Sequence, residues 1–199
     1  LQSNNGGSSW DIQYQIQRDL HDVYFINNQV GWSFGDKGCI LKTIDGGISW
    51  DLQPIGINYY IKNASFINDQ NIWLACRNVA YAIGGAIFHS SNGGNTWEYQ
   101  ESARDAIANN KLNDIFMVNL KAGWACGEKG TLLHTINGGQ NWSKIDIGVT
   151  YHFTALEFNG PYMGWVSTDG NVYQYYDKRF DTYMGNFYRI FTEKRNTNL

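Results

Sequence analysis

Thr43-Ile44-Asp45-Gly46-Gly47-Ile48-Ser49-Trp50 is the stretch that decides the fold, because the chain writes it again. It returns as Ser90-Ser91-Asn92-Gly93-Gly94-Asn95-Thr96-Trp97 and as Thr135-Ile136-Asn137-Gly138-Gly139-Gln140-Asn141-Trp142. A further copy stands at Ser3-Asn4-Asn5-Gly6-Gly7-Ser8-Ser9-Trp10. The copies are spaced at roughly 40 to 47 residues, the period of four-stranded propeller blades. In each copy an Asx and a flanking Ser or Thr can hydrogen-bond the local backbone and hold a tight turn. The paired glycines supply positive φ without a Cβ clash. The closing tryptophan is expected to open the next strand and anchor it by burial.

The octet positions expected to be structural are Asn5, Gly7 and Trp10; Thr43, Asp45, Gly47 and Trp50; Ser90, Asn92, Gly94 and Trp97; and Thr135, Asn137, Gly139 and Trp142. Only Asp45 brings a carboxylate to the Asx position, and a calcium site needs that charge. The octets therefore read as turns, and neither metal nor cofactor is expected.

Around these turns the composition is that of an all-β chain. The 199 residues include 22 Gly, 2 Pro and 16% aromatics, with a net charge of −3. That length suits one domain. The charge gives no nucleic-acid footprint, and no apolar run is long enough to insert in a membrane. Cys39, Cys76 and Cys126 fall in strands of different units and read as small buried hydrophobes rather than a disulfide framework.

Taken in order, the strands group into blades at about 20–53, 61–100, 112–147, and 153–176 plus 10–16. Together these form a propeller domain over 1–180, with 181–199 as a tail or an outer strand. The fold class is a β-propeller of about four four-stranded antiparallel blades. The fourth unit lacks a proper turn and Trp, having Asp177-Lys178-Arg179 where the octet should be, while the N-terminus carries a turn and Trp without a blade. Closure of the ring by a strand over Trp10–Ile16 is the favoured expectation. The alternative is that Asn186–Thr192 is the outer strand and the chain is part of a larger propeller. Ser102 is expected to cap a short helix over Ala103–Ala108.

The strings Gly31-Trp32-Ser33-Phe34-Gly35 to Gly46-Gly47 and Gly123-Trp124-Ala125-Cys126-Gly127 to Gly138-Gly139 carry a family resemblance, which extends over about residues 3–173. They resemble the Asp-box propellers of the photosystem II stability and assembly factor type, within the wider BNR-repeat, sialidase-like superfamily. The resemblance implies a non-catalytic scaffold that binds protein, in a compartment outside the cytoplasm. The seven blades usual there exceed the four expected here.

Other patterns point to weaker chemistry. Gly31-Trp32-Ser33-Phe34-Gly35 matches the G-x-S-x-G nucleophile motif, but that motif needs a strand-to-helix elbow and here runs along a strand. His89 and His134, with Lys42 as their counterpart, occupy equivalent slots in different blades, so they diverge around the ring rather than converge on a metal. His21 and His152 stand at the starts of inner strands. Arg18, Arg77 and Arg104 would be the raw material for a sialidase-like cluster, but the Arg-Ile-Pro-like segment of that superfamily is absent. No enzymatic site is expected.

Hairpins alternate ends, so the octets share one rim and the varied loops share the other. Varied loops on a repetitive scaffold are where recognition resides. The candidate binding face comprises Asp36, Lys37, Tyr59, Tyr60, Arg77, Asn78, Tyr81, Arg104, Glu128, Lys129, Tyr151 and His152. A protein partner is expected there. A glycan-binding or glycosidase-like module and a structural subunit of a larger assembly are the alternatives.

Overall fold

The computed structural model describes residues 1–56, 58–78, 84–160, 163–176 and 186–190. Among them, four antiparallel sheets of four strands follow one another along the chain. The first holds β1 (Leu20–Phe25), β2 (Gly31–Gly35), β3 (Cys39–Thr43) and β4 (Asp51–Pro54). The second holds β5 (Tyr59–Phe66), β6 (Ile72–Asn78), β7 (Gly85–Ser90) and β8 (Glu98–Tyr99), and α1 (Glu101–Ile107) follows it. The third is built from β9 (Leu112–Met117), β10 (Gly123–Gly127), β11 (Leu132–Thr135) and β12 (Ser143–Lys144). The fourth is built from β13 (Phe153–Phe158), β14 (Met163–Thr168), β15 (Val172–Tyr176) and β16 (Asn186–Ile190). This is an all-β propeller architecture in which each sheet is a blade.

The core sits between blades, not inside them. Trp32, Phe34 and Ile40 of blade 1 pack against Ile61, Ile72, Leu74 and Phe88 of blade 2. Trp73, Ala75 and Ile87 then meet Leu112, Ile115, Leu133 and Trp142 of blade 3. Trp124, Cys126 and Leu132 meet Phe153, Leu156 and Val166 of blade 4. Strand alternation explains this: each blade buries both faces, so β2 and β10 are buried at every position and β6 is buried from Ile72 to Cys76. The three cysteines are free and buried, Cys76 and Cys126 within these layers.

The octets form the turns expected of them. Thr43 Oγ1 donates to Asp45 Oδ1 (2.8 Å) and accepts from the Gly47 N–H (2.9 Å), while Asp45 Oδ1 accepts from the Ser49 N–H (2.9 Å). The Ser49 hydroxyl, which donates to Asp45 Oδ2 (2.5 Å), together with the Ser49 N–H and Thr43, holds the Asp45 carboxyl down at about 2. Asn92 and Asn137 make the same bonds to the N–H groups of Thr96 and Asn141 with an amide oxygen. In both central copies of the pair and in the other two, φ is positive, for example +76° and +88° at Gly46 and Gly47.

Three expectations are corrected. Ring closure by Trp10–Ile16 does not occur: β16 takes the outer edge of β15 from Val172↔Ile190 to Tyr176↔Asn186, so that ladder is already filled. Residues 10–16 form no strand, and their one bridge is Gln2↔Asp11. Trp10 is accordingly no anchor, being 58% exposed against 5% for Trp142. Ser102 does not cap α1. The N-cap is Gln100, without a side-chain bond, and the Ser102 hydroxyl instead donates to Gly139 O (3.3 Å) and accepts from the Trp142 N–H (3.2 Å).

Gly35 and Gly127 end β2 and β10 in extended backbone, so conformational freedom is not what they supply. A Cβ on Gly35 would overlap the carbonyl oxygen of Asp19, and one on Gly127 that of Lys111. Both glycines let the chain entering the blade lie directly on the second strand. Gly127→Ala is expected to lower stability by about 1–3 kcal/mol, read as a shift of the urea midpoint. An unchanged midpoint would show that the crossing yields freely.

Candidate functional site

The rim opposite the octets is built from the β2–β3, β6–β7 and β10–β11 turns and from the segments that cross between blades. Backbone bonds knit the two kinds of loop together. Asp36 N–H donates to Asp19 O (2.9 Å), Gly85 N–H to Asn110 O (2.6 Å), Glu128 N–H to Lys111 O (2.9 Å) and Gly130 N–H to Tyr151 O (2.7 Å). In each blade the inner strand also carries a bulge at this end, which leaves His21, Lys62, Asn113 and Thr154 as the extra residues. Bulges at a sheet end re-aim side chains: His21 reaches Asp36, Asn113 bonds Arg77 and Phe153 O, and Thr154 bonds Ser167.

The two short turns match. Asp36-Lys37-Gly38 and Glu128-Lys129-Gly130 each put a lysine in the left-handed region, at φ +54° and +52°. Their acids are engaged: Asp36 bonds the His21 imidazole, and Glu128 lies 3.7 Å from Lys111 Nζ. Lys37 and Lys129 remain exposed with no ion-pair partner among the described residues. Tyr151, whose carbonyl accepts from the Gly130 N–H beside Lys129, is 51% exposed. His152 is exposed and accepts the Lys129 N–H at Nδ1 (3.4 Å).

Other candidates have structural attachments. Arg77 is half-buried, donates from Nε to Leu112 O (3.1 Å) and bonds Asn113 Oδ1 through Nη2. Asn113 in turn donates to Phe153 O (2.5 Å), so this chain of bonds ties blades 2, 3 and 4 together. Tyr59 is half-buried with its ring 5.6 Å from that of Phe88, and Tyr60 and Asn78 are half-buried in the β5–β6 pair. Arg104 is exposed on α1, which packs on β7, β11 and β12. Tyr81 lies outside the described residues.

Asp114 and Asn113 were not singled out from the sequence. The Asp114 carboxylate accepts from Ile115 N–H (2.8 Å) and, across the blade junction, from Leu156 N–H (2.6 Å). Burial raises its pKa to about 6 against the pull of those two bonds. The signal was present in the parallel between Leu20-His21-Asp22 and Leu112-Asn113-Asp114.

The motif serine Ser33 is 7% exposed in the middle of β2, and its Oγ donates to Asp22 O (2.9 Å). It is a strand residue spanning a ladder, not an elbow. His89 and His134 stack on Trp73 and Trp124 at 4.1 and 4.0 Å, and Lys42 Nζ stands 5.4 Å from the Trp32 ring. Among the described residues no group of three or more His, Cys, Asp or Glu is placed to hold a metal ion.

The model of the family described as photosynthesis system II assembly factor YCF48 matches residues 2–81 and 77–179. The chain belongs to the YCF48 family. Among curated relatives, the photosystem II stability/assembly factor HCF136 of Guillardia theta is 27% identical over 135 residues, covering 60% of this chain and 31% of that protein. The chain spans 15–35% of the length of the curated relatives it matches. The structure of YCF48 bound to D1 peptide superposes with a TM-score of 0.66 at 16% identity, over 91% of this chain and 56% of that one. The GH74 xyloglucanase of Xanthomonas campestris superposes at 0.68 with 12% identity, over 85% and 30%. At such identities the likeness is one of fold, shared by the YCF48 family and an enzyme alike. The sequence resemblance and the all-β propeller are thus shown together.

Proposed function

We propose that this chain is a non-catalytic, protein-binding assembly unit that engages its partner through the rim opposite the octets. Membership in the YCF48 family is the observation that carries the reading. A YCF48 relative is complexed with a D1 peptide, which supports an extended polypeptide as the kind of partner. The rim offers what such a partner needs: paired, exposed lysines on matched turns, with an exposed tyrosine and histidine between blades 3 and 4. Arg77 serves this surface indirectly by fixing Asn113 and the start of β9. Residence outside the cytoplasm belongs to the same proposal, in line with the chloroplastic designation of HCF136. The glycosidase-like alternative has only a fold likeness behind it and is not favoured.

The test is binding of D1 peptide by wild type, by Lys37→Glu/Lys129→Glu/Tyr151→Ala, and by an octet-rim control, Ile48→Ser/Ile136→Ser. The rim variant is expected to bind about tenfold or more weakly, as for loss of charged and aromatic anchors. The control should bind like wild type. Equal binding by all three would remove the rim as the contact surface.

A further inference from the structure

Asparagine followed by glycine is a reactive pair, because the glycine nitrogen can turn onto the asparagine side-chain carbonyl with no side chain of its own in the way. The chain contains four such pairs: Asn5-Gly6, Asn92-Gly93, Asn137-Gly138 and Asn159-Gly160. The fold treats them unequally. Two are locked. Gly93 N–H donates to Gln70 O (2.9 Å) and Gly138 N–H to Lys121 O (2.8 Å), so the attacking nitrogen is tied to the first hairpin loop of its own blade. The half-buried side chains of Asn92 and Asn137 are held as well, each Oδ1 accepting a main-chain N–H four residues on (2.9 Å). Asn5 keeps that side-chain bond, to Ser9 N–H (2.9 Å), but it is exposed and Gly6 N–H has no partner among the described residues.

Asn159-Gly160 is free on both counts. The pair opens the loop of five residues between Phe158 and Gly164, the last and first paired residues of its hairpin. In the matching loops of blades 1 to 3 the second residue is Asn27, Asn68 or Asn119, whose Oδ1 accepts the N–H groups two and three residues on (2.8–3.0 Å). Gly160 stands in that place in blade 4 and has no side chain with which to lock the loop. Asn159 and Gly160 are both exposed. Neither the Asn159 side-chain amide nor the Gly160 N–H forms a hydrogen bond among the described residues.

We propose that Asn159 is a site of spontaneous deamidation, and that the fold protects Asn92 and Asn137 from the same reaction. Gly160 gives up its amide proton to solvent base, and its nitrogen bonds to Asn159 Cγ. The Cγ–Nδ2 bond breaks, and the side-chain nitrogen leaves as ammonia with a proton from water. Water then opens the resulting five-membered imide at one of its two carbonyls, giving aspartate or isoaspartate. Isoaspartate inserts a methylene into the main chain immediately after the Asn159 N–H, whose bond to Met163 O (2.9 Å) closes the hairpin. At Asn5 the aspartyl product is accommodated, since Asp45 holds a carboxylate in an octet with the same serine four residues on.

The four pairs fall in four different tryptic peptides, bounded by Arg18, Arg77, Arg104, Lys129, Lys144 and Lys178, so one digest follows them together. Folded protein is incubated at mildly alkaline pH and sampled by peptide mass. Isoaspartate is scored by methyl transfer from a protein isoaspartyl methyltransferase. Asn159 is expected to convert first and Asn5 next. Asn92 and Asn137 should lag Asn159 by about tenfold or more, the factor for a local opening that costs about 1.4 kcal/mol. In urea the four rates should converge. Gly160→Ala should slow Asn159 alone, with Asn5 in the same molecule as the internal clock. Conversion of Asn159 no faster than that of Asn92 or Asn137 in the folded protein would overturn the assignment. An unchanged ranking in urea would do the same, by tracing the order to flanking sequence instead of the fold.

Discussion

A Trp142→Ala protein is expected to lose about 3–5 kcal/mol of folding stability, while Trp10→Ala shifts it by less than about 0.5 kcal/mol. Both residues close a copy of the same octet, with the same Gly-Gly pair three and four positions earlier. They differ in what lies against the ring. Trp142 is 5% exposed among Trp73, Ala103, Ile107 and Leu133, whereas Trp10 is 58% exposed. Removing the buried ring leaves a cavity that blades 2 and 3 cannot both close; removing the exposed one leaves no cavity. Urea denaturation of the two variants against wild type measures the contrast. Similar losses would mean that the tryptophan works within its own turn and that the blade junctions are not the core.

Asp114→Ala is expected to cost about 2–4 kcal/mol, because it orphans the N–H groups of Ile115 and Leu156 inside a blade junction. The same carboxyl gives stability a pH dependence whose sign can be worked out. Its pKa in the fold, about 6, lies above the unfolded value near 3.9. Between those limits the folded state binds more protons, so this group's contribution falls as pH rises from about 4 to 6, by at most about 3 kcal/mol. His134 works the other way: burial holds it at about 4, below its unfolded value near 6.5. The unfolded state takes up that proton first, so stability falls as pH drops from about 6.5 to 4. The two oppose each other in the wild type, and His89, whose pKa burial also lowers, acts on the side of His134. Relative to wild type, a His134→Phe protein, which keeps a ring over Trp124, should therefore gain stability from pH 6 down to 4. Relative to wild type, Asp114→Ala should lose stability over the same interval. Denaturation midpoints across that interval decide it, and parallel pH profiles for the two variants would refute the assignment. Asp45 stays outside this window, since its stabilising contribution is lost only as pH falls from about 4 toward 2.

Much of the propeller was legible because its signals are local. Each octet makes its turn with its own side chains, so Thr43, Asp45 and Gly47 announce the bend without help from the rest of the chain. The runs Gly31–Gly35 and Gly123–Gly127, free of charged residues, likewise state that both faces of those strands are covered, and their repetition states that the covers are other blades. The candidate rim was legible in the same way, as the ends where Asp36-Lys37-Gly38 and Glu128-Lys129-Gly130 must turn.

What the sequence alone determined is thus the repeat, the class of fold, the turn chemistry and which rim carries the varied loops. The tertiary structure decided which segment completes blade 4, since Trp10–Ile16 and Asn186–Thr192 are both plausible strands and only occupancy of the β15 edge separates them. It decided that Trp10 and Trp142 differ, because burial depends on a neighbour distant in sequence. It also made Arg77 and Asp114 struts between blades, through partners at Leu112, Asn113 and Leu156. The physical reason is common to all three: turn geometry is fixed by bonds within eight residues, whereas edges, burial and cross-blade hydrogen bonds exist only once distant strands have met.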